Sequence, residues 1–394
     1  MKKLFVILTM FITIGANAQW VQMSNGMGTG QTVYALAING NNLYAGTLDS
    51  GIYFSTNSGN NWIHSSLNNK TVTSLAVSGN NLIAGTWANG VYFSTDNGYS
   101  WLQPSLLYQT IWSLVAIDNF IFAGTWDNGV YLTTNNGINW LHTTLSNKRV
   151  NSLIQINYKL FAGTEYDGVY YSSNFGDTWI QTSLNNIEVK SLAAQGNSIY
   201  AGTFDGVYIS TNYGTSWIQT TLNNKSTYSI ALTNNNVIAG TIAWGVYVST
   251  NIGTSWIEKN EGFTVIPPTY SLLINNNYVF AGTGTRSVWR RSLSEIIGIQ
   301  NISTETPTKY SLSQNYPNPF NPTTNIKYSI VNSGDVKLVV YDIQGREVQT
   351  LVSESLKPGT YEASFDGSKL NSGVYFYKLV TGNFTETKKM LLIK

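Results

Sequence analysis

Five acidic residues occupy equivalent loop positions in a repeated sequence and are the side chains best suited to acid–base chemistry. They are Asp49, Asp127, Glu165, Asp167 and Asp205. Two carboxylates that face each other across a cleft can hydrolyse a glycosidic bond, one as the acid and the other as nucleophile or base. Five acids at equivalent positions of a closed, repeated structure would include such pairs by chance. We therefore expect solvated loop charges and no catalytic residue. A glycoside hydrolase or lyase that uses these carboxylates is the alternative.

The two histidines, His64 and His142, each follow a tryptophan by two positions and lie two repeats apart. Zinc binds an imidazole nitrogen at about 2 Å, so side chains this far apart cannot share an ion, and we predict exposed edge-strand residues. The chain has no cysteine, which excludes a thiol nucleophile and disulfides. It also lacks the G-x-S-x-G and phosphate-loop patterns. We therefore expect no metal site and no cofactor.

The tripeptide Ala-Gly-Thr recurs at intervals of 38 to 42 residues. Its copies begin at Ala45, Ala84, Ala123, Ala162, Ala201, Ala239 and Ala281. Each interval holds four short apolar or β-branched segments separated by Gly, Asn, Asp and Ser, which predicts four strands. Repeats of about 40 residues with four strands each are typical of a β-propeller. We therefore predict an all-β protein whose residues 19–293 form a seven-bladed β-propeller.

The phase of the repeats predicts how the ring closes. Seven tryptophans occur at the same point of the repeat. The first of them, Trp20, precedes the first Ala-Gly-Thr, and no tryptophan occurs at that point after the seventh Ala-Gly-Thr. The last repeat thus lacks its outermost strand, which residues 20–23 should supply by pairing beside residues 287–292. That pairing removes two exposed strand edges. The small Ala-Gly pair should let neighbouring blades approach closely.

A second motif, S/T-x-N/D-x-G-x-x-W, precedes the outermost strand of six repeats. It occupies residues 55–62, 94–101, 133–140, 172–179, 210–217 and 249–256. These segments resemble the Asp-box, or BNR, repeats of sialidases, sortilin-type receptors, xyloglucanases and photosystem assembly-factor propellers, with Asn in place of Asp in five of six. Asn and Gly suit the tight turn and Trp fills space between sheets, so we predict a structural role. So few carboxylates argue against calcium sites.

The same resemblance bears on catalysis. Sialidases with these repeats hold the substrate carboxylate with three arginines on different blades. The propeller here has Arg149, Arg286, Arg290 and Arg291, of which the last three share one repeat, so we expect no converging triad. Xyloglucanase-like enzymes place paired Asp residues between two propellers, and this chain has one.

The sequence changes character after the last repeat. Residues 294–309 are predicted to be a linker and residues 310–394 a small Ig-like β-sandwich. Its predicted strands are residues 325–330, 336–341, 360–365, 374–380 and 389–393. The motifs Y-P-N-P-F-N-P from Tyr316, L-N-S-G-V-Y-F-Y-K-L from Leu370 and K-K-M-L-L-I-K from Lys388 resemble the type A C-terminal sorting domain of the type IX secretion system. An ordinary adhesive sandwich is the alternative.

This second resemblance implies export through the Sec pathway, passage across the outer membrane with the type IX machinery as partner, and attachment to the surface or release. The N-terminus is consistent with it, because two lysines, an apolar run over residues 4–14 and an A-x-A-like site at Ala16–Ala18 predict a signal peptide over residues 1–18. The apolar run is too short to span a membrane. Cleavage takes the formal net charge from +2 to zero, which disfavours nucleic acid and membrane surfaces as partners.

Variation between repeats indicates where a ligand is selected. The loop after Ala-Gly-Thr and the first residues of the innermost strand vary, and in a propeller both sets rim the same mouth of the central channel. The aromatic and polar side chains there suit stacking on sugar rings or anchoring a peptide. The predicted binding rim is Trp87, Trp112, Trp126, Asp127, Tyr166, Asp167, Phe204, Asp205 and Trp244. Aromatic rings that only fill space between loops are the alternative.

We therefore predict an exported, monomeric propeller that serves on the cell surface or outside the cell as a non-catalytic binding or scaffold module for glycan or protein.

Overall fold

The computed structural model describes residues 19–103, 106–233, 236–275, 278–297, 299–303, 305–367 and 370–394. The predicted signal peptide, residues 1–18, lies outside the described residues. The described chain is built almost wholly of short antiparallel strands, with one four-residue helix. No helix of membrane-spanning length and apolar character occurs in this part of the chain.

The first half of the repeat region begins with a two-residue strand and continues as regular groups of strands. The strand before the first repeat is β1 (Val21–Gln22). The first repeat forms β2 (Val33–Asn39), β3 (Asn42–Thr47), β4 (Gly51–Ser55) and β5 (Ile63–His64), and the second forms β6 (Val72–Ser78), β7 (Asn81–Thr86) and β8 (Gly90–Ser94). The third forms β9 (Ile111–Ile117), β10 (Phe120–Thr125), β11 (Val130–Thr133) and β12 (Leu141–His142).

The second half of the repeat region has the same organisation. The fourth repeat forms β13 (Val150–Ile156), β14 (Lys159–Thr164), β15 (Val169–Ser172) and β16 (Ile180–Gln181), and the fifth forms β17 (Val189–Gln195), β18 (Ser198–Thr203), β19 (Gly206–Ser210) and β20 (Ile218–Asn223). The sixth forms β21 (Thr227–Thr233), β22 (Asn236–Thr241), β23 (Val246–Ser249) and β24 (Ile257–Glu258), and the seventh forms β25 (Thr269–Asn275), β26 (Tyr278–Thr283) and β27 (Val288–Ser292).

Within the described residues these strands form seven sheets. Six are meanders in chain order, and the seventh has the order β1-β27-β26-β25. The first strand of each sheet contacts the first strand of the next, and β25 contacts β2, so the innermost strands form a closed ring. The second sheet has three strands, and a single antiparallel bridge between Phe93 and Leu102 marks its outer edge. This arrangement is the propeller that the repeats predict.

The ring closes as the tryptophan phase predicts. Strand β1 pairs with β27, with Val21 opposite Arg290, and becomes the outermost strand of the seventh sheet. Trp20 lies just before it, where its indole nitrogen donates to the carbonyl of Lys259 over 2.7 Å and its ring stacks on Phe263 at 5.3 Å. The N-terminal end of the propeller is thereby joined to its last blade.

The glycine of Ala-Gly-Thr lies against the next blade. A Cβ added at Gly46 would stand 2.6 Å from a methyl carbon of Val72, and one at Gly282 would stand 2.8 Å from a methyl carbon of Val33 across the ring closure. The same steric contact joins the other repeat glycines to the next inner strand: Gly85, Gly124, Gly163, Gly202 and Gly240. The prediction that this pair permits close approach of blades is confirmed.

The S/T-x-N/D-x-G-x-x-W turn is closed by its own side chains. In the first copy, Ser55 Oγ accepts the amide of Gly59 at 2.9 Å, and Asn57 Oδ1 accepts the amide of Asn61 at 2.9 Å. The same pair of bonds recurs in the other five copies. Trp62 is buried and donates to the carbonyl of Met23, while the tryptophans of the later copies are half-buried against neighbouring clusters. The motif is therefore structural in this fold.

The C-terminal region begins with a short helix and continues as two further sheets. These elements are α1 (Leu293–Ile296), β28 (Ile299–Ser303), β29 (Ser311–Leu312), β30 (Thr323–Ile330), β31 (Gly334–Tyr341), β32 (Glu347–Leu356), β33 (Gly359–Asp366), β34 (Gly373–Thr381) and β35 (Phe384–Leu392). The sheet orders are β28-β33-β30-β29 and β32-β31-β34-β35. One apolar cluster that includes Tyr328, Phe365, Tyr377 and Met390 lies between the sheets.

The structure corrects two expectations for this region. Residues 294–309 were expected to be a linker, but Ile296 is buried in the seventh-blade cluster with Trp20, and β28 pairs with β33 as an edge strand of the sandwich. Ile296, Ile297 and Ile299 are apolar without any repeat phase, so the pattern gave no signal for these elements. Strand β32 was also missed, because its charged and polar residues obscure the alternation.

We predict that Trp20→Ala lowers the free energy of unfolding by about 3 to 5 kcal/mol, the usual cost of truncating a buried tryptophan. Trp20 is 1% exposed, whereas its neighbour Val21 is 50% exposed. Val21→Ala on the same strand is therefore the matched control and should change stability by less than about 0.5 kcal/mol. Denaturant unfolding of the full chain measures both, and equal midpoints would show that this segment does not hold the ring closed.

A second prediction concerns Tyr377, whose hydroxyl donates to the carbonyl of Ser313 and accepts the amide of Asn315, both at 2.8 Å. Burial raises its pKa to about 12 from 10.0. Because the native pKa is raised, this stabilisation is complete below pH 10 and is lost as the pH rises towards 12. Tyr377→Phe should cost about 1 to 3 kcal/mol at pH 7 through the unpaired amide and reduce the alkaline decline.

The control for this pH dependence is Tyr158→Phe, because Tyr158 is 86% exposed. Unfolding midpoints recorded from pH 8 to 12 should be the same for this variant and the unmodified chain. An alkaline decline that Tyr377→Phe leaves unchanged would contradict the assignment.

Candidate functional site

A β-bulge opens the innermost strand of every blade and places one side chain at the channel. In the first sheet Val33 pairs with Thr47 and Ala35 with Gly46, so Tyr34 has no partner across the ladder. The corresponding residues in the other sheets are Thr73, Trp112, Asn151, Lys190, Tyr228 and Tyr270. Bulges commonly redirect a side chain beside a functional site. These are the residues that vary between repeats.

The loop after Ala-Gly-Thr is fixed at its base by the threonine. Thr47 Oγ1 donates to the carbonyl of Gly51 over 2.8 Å and Thr125 Oγ1 to that of Gly129 over 2.9 Å. The same bond closes this turn in the other sheets. The threonines are fully or nearly fully buried, so the variable loop residues project from a rigid base.

Three tryptophans come together at the mouth of the channel. Trp87 and Trp126 belong to loops of adjacent blades, and Trp112 is the bulge residue between them. The ring centroids of Trp112 lie 5.7 Å from those of both Trp87 and Trp126, and the latter two are 6.2 Å apart. Trp87 is 48% exposed. We call these three rings the tryptophan platform.

Arg149 extends the platform into the next blade. Its guanidinium lies 4.3 Å from the ring centroid of Trp126 and 5.8 Å from that of Tyr166. It also forms ion pairs with Asp127 at 3.2 Å and with Glu165 at 3.1 Å. The guanidinium of Arg149 thus contacts two aromatic rings and two of the five loop acids that could serve in catalysis.

The predicted rim residues therefore divide into two groups. Trp87, Trp112, Trp126, Asp127 and Tyr166 form one contiguous cluster around Arg149. In the described part of the chain, the other four residues make no hydrogen bond, ion pair or ring contact with this cluster and have different neighbours. Asp167 pairs with Lys148 at 3.0 Å, Phe204 is exposed beside Asp205, and Trp244 lies under the ammonium of Lys225 at 4.1 Å.

Several residues of the mouth were missing from the predicted rim. Besides Arg149, they are the bulge residues Tyr34, Tyr270, Tyr228 and Lys190. Ring centroids of Tyr34 and Tyr270 are 5.1 Å apart, and those of Tyr270 and Tyr228 are 5.8 Å apart. Their variation between repeats was visible in the sequence, but the bulge that directs them to the channel was not.

The electrostatic environment of these residues is specific. Burial opposes the charge on Lys190, but its hydrogen bond to Glu188, with Tyr228 and Glu165 nearby, outweighs burial and raises its pKa. Burial, reinforced by Asp49, raises the pKa of Tyr34. Burial also raises the pKa of Tyr270, reinforced by the two neighbouring phenols. At neutral pH the mouth therefore presents an ammonium group and neutral phenol donors.

The histidines lie outside this site. His64 and His142 are exposed on the outermost strands β5 and β12, where each stacks on a tyrosine, Tyr53 and Tyr131 respectively. Among the described residues, no group of three His, Asp or Glu side chains could hold a metal ion.

Residues 314–394 match the family described as "Secretion system C-terminal sorting domain". The chain therefore carries a type IX sorting domain at its C-terminal end, which supports export to the cell surface or beyond. No curated protein matches the chain.

Solved structures that resemble this one include β-propellers. YCF48 from Cyanidioschyzon merolae has a TM-score of 0.58 at 15% identity, over 71% of this chain and 99% of that chain. YCF48 bound to D1 peptide has a TM-score of 0.57 at 16% identity, over 70% and 96%. The extracellular domain of BT3049 from B. thetaiotaomicron has a TM-score of 0.58 at 12% identity, over 95% and 57%. At these identities the likeness establishes the fold alone.

The geometry predicts that platform and turn tryptophans differ in their effect on stability. Trp87→Ala should change the free energy of unfolding by less than about 0.5 kcal/mol, since the ring is half exposed. Trp62→Ala should cost about 3 to 5 kcal/mol, since that ring is buried and hydrogen bonded. Thermal unfolding of the two variants tests this, and equal destabilisation would mean that the platform is packing and not a surface for ligands.

Proposed function

We propose that this exported propeller is a non-catalytic binding module and that its ligand, a glycan or a protein, binds at the mouth of the channel. The observation that carries the proposal is the tryptophan platform, which is partly exposed, lies on the variable residues and is held by a rigid frame. Large aromatic rings provide contact area at a small entropic cost and commonly anchor binding sites.

The alternative of a glycoside hydrolase or lyase has weaker support. Asp127 and Glu165 are both paired with Arg149, whose guanidinium lies over Trp126 of the platform. The guanidinium occupies carboxylate oxygens that a catalytic acid or base would need for the glycosidic oxygen or for a water molecule. Hydrolysis of a polysaccharide that Asp127→Asn or Asp167→Asn abolishes would nevertheless favour the enzyme.

Binding at the platform is tested with the purified full-length chain on a glycan array and in pulldowns from cell-surface fractions. We expect Trp87→Ala and Trp126→Ala to weaken binding of any captured ligand by about 1 to 3 kcal/mol each, the range of an aromatic anchor. Tyr99→Ala is the matched control, because Tyr99 is exposed in a turn next to an outer strand. Binding that survives both tryptophan variants would overturn the proposal.

Export is tested by truncation after Ile297, which removes β28 together with the sandwich sheet in which it pairs. The truncated propeller should fold and accumulate in the periplasm, as judged by cell fractionation and surface labelling. As the reciprocal control, residues 299–394 fused to an unrelated periplasmic reporter should carry it to the surface. Normal surface levels of the truncated chain would contradict the role of this region in sorting.

A further inference from the structure

Beside the tryptophan platform lies a second set of side chains at the mouth. It consists of Tyr34, Tyr270, Tyr228 and Lys190, which we call the phenol strip. The ring centroid of Tyr34 is 6.3 Å from that of Trp112, so the strip begins where the platform ends. It ends where the ammonium of Lys190 lies 5.2 Å from the ring centroid of Tyr228. Platform and strip therefore form one continuous surface.

Every member of the strip is a bulge residue. The ladder pairing skips each of them, so none is needed to hold its sheet together. Together with Trp112, they supply five of the seven bulge residues at the channel. Aromatic and charged side chains concentrated at positions with no pairing role point to recognition of a ligand.

Several charges beside the platform and the strip are held in ion pairs, while Asp49, near Tyr34, accepts a hydrogen bond from the hydroxyl of Thr71. Lys190 is bonded to Glu188, Arg149 lies between Asp127 and Glu165, and Lys148 pairs with Asp167. A ligand of either net charge would meet an opposite and a like charge within a few ångströms. Like charges brought together at an interface cost free energy and exclude wrong partners.

The same surface is rich in hydrogen-bonding groups of both kinds. The ammonium of Lys190 and the neutral phenols of Tyr34 and Tyr270 can donate, and the neighbouring carboxylates can accept. A sugar hydroxyl both donates and accepts, and the C–H face of a pyranose ring can stack on an exposed indole. A neutral sugar chain uses all of these groups without displacing an ion pair.

We propose that the ligand of this mouth is an uncharged oligosaccharide, one ring of which stacks on Trp87 while its hydroxyls bind the phenol strip. This inference rests on the proposed binding function and specifies its ligand class. The strip is the part that selects the ligand, and the platform supplies contact area.

The test is calorimetric titration of the full-length chain with sugars matched in linkage and length. The pairs are β-1,4-mannohexaose against β-1,4-hexamannuronate, and cellohexaose against its β-1,4-glucosamine hexamer, the second pair at mildly acidic pH, where the amines carry protons. We expect at least one neutral hexaose to bind, its charged partner to bind at least tenfold more weakly, and the neutral affinity to change little between 50 mM and 500 mM salt, in keeping with the ion-paired charges.

Single hydroxyls are then removed. Tyr270→Phe and Tyr228→Phe keep the rings and should each weaken binding of the neutral hexaose by about 2- to 12-fold, the value of one hydrogen bond. Tyr158→Phe is the control, because Tyr158 lies in the turn after β13, at the opposite end of that strand from its bulge, and it should leave the affinity unchanged. Failure of both strip variants to weaken binding would overturn the role of the strip.

The outcomes separate this inference from the proposed function. Trp87-dependent binding of a charged sugar or of a peptide, or no binding of any neutral hexaose at millimolar concentration, overturns the uncharged ligand and leaves a binding mouth intact. Capture of a ligand that Trp87→Ala and Trp126→Ala both leave unaffected overturns the binding mouth itself.

Discussion

The architecture depends on a steric constraint between neighbouring blades. At Gly46 the backbone of one sheet approaches Val72 of the next so closely that a side chain would collide with it, and the contact between Gly282 and Val33 completes the circle. Because sheets twist, a ring of separate sheets closes only if each interface keeps nearly the same spacing. A glycine repeated once per blade sets that spacing. The closed ring then needs only β1 to complete the seventh sheet.

The turns at both edges of the blades are held by their own side chains, so the residues at the mouth of the channel can differ between repeats while the frame stays the same. Buried threonines close the turns after each glycine, and serine or threonine with asparagine closes the turns on the outer edge. Each turn satisfies its own backbone groups, so the residues between the fixed points carry little structural burden. Binding sites are commonly built on loops held by such scaffolds. The pairing of each sheet skips its bulge residue, and in the described part of the chain only Thr73 and Asn151 among these residues donate to a backbone carbonyl of the next inner strand.

The acids at the mouth of the channel have different neighbours in the folded ring from those that the sequence alone suggests. As isolated loop residues, Asp127 and Glu165 look like candidates for a catalytic pair or for solvated charges. In the folded ring they converge on Arg149, which also stacks on Trp126. The cation comes from the start of the fourth repeat, one blade beyond the loop that carries Asp127. In the folded ring the two acids are therefore joined through one cation and are not isolated loop charges.

The sequence by itself determined the properties that repeat. The spacing of Ala-Gly-Thr fixed the all-β ring, the phase of Trp20 fixed its closure, and the C-terminal motifs fixed the sorting domain, because each depends on local chemistry or on simple periodicity. Tertiary structure decided what has no period. Ile296 packs in the seventh-blade cluster and β28 pairs in the sandwich, although both lie in the segment predicted to be a linker. Their partners are distant in sequence, so the local pattern could not reveal them. The joining of Arg149 to two loops, and of Tyr34 to Tyr270 across the ring closure, likewise required the ring to form first.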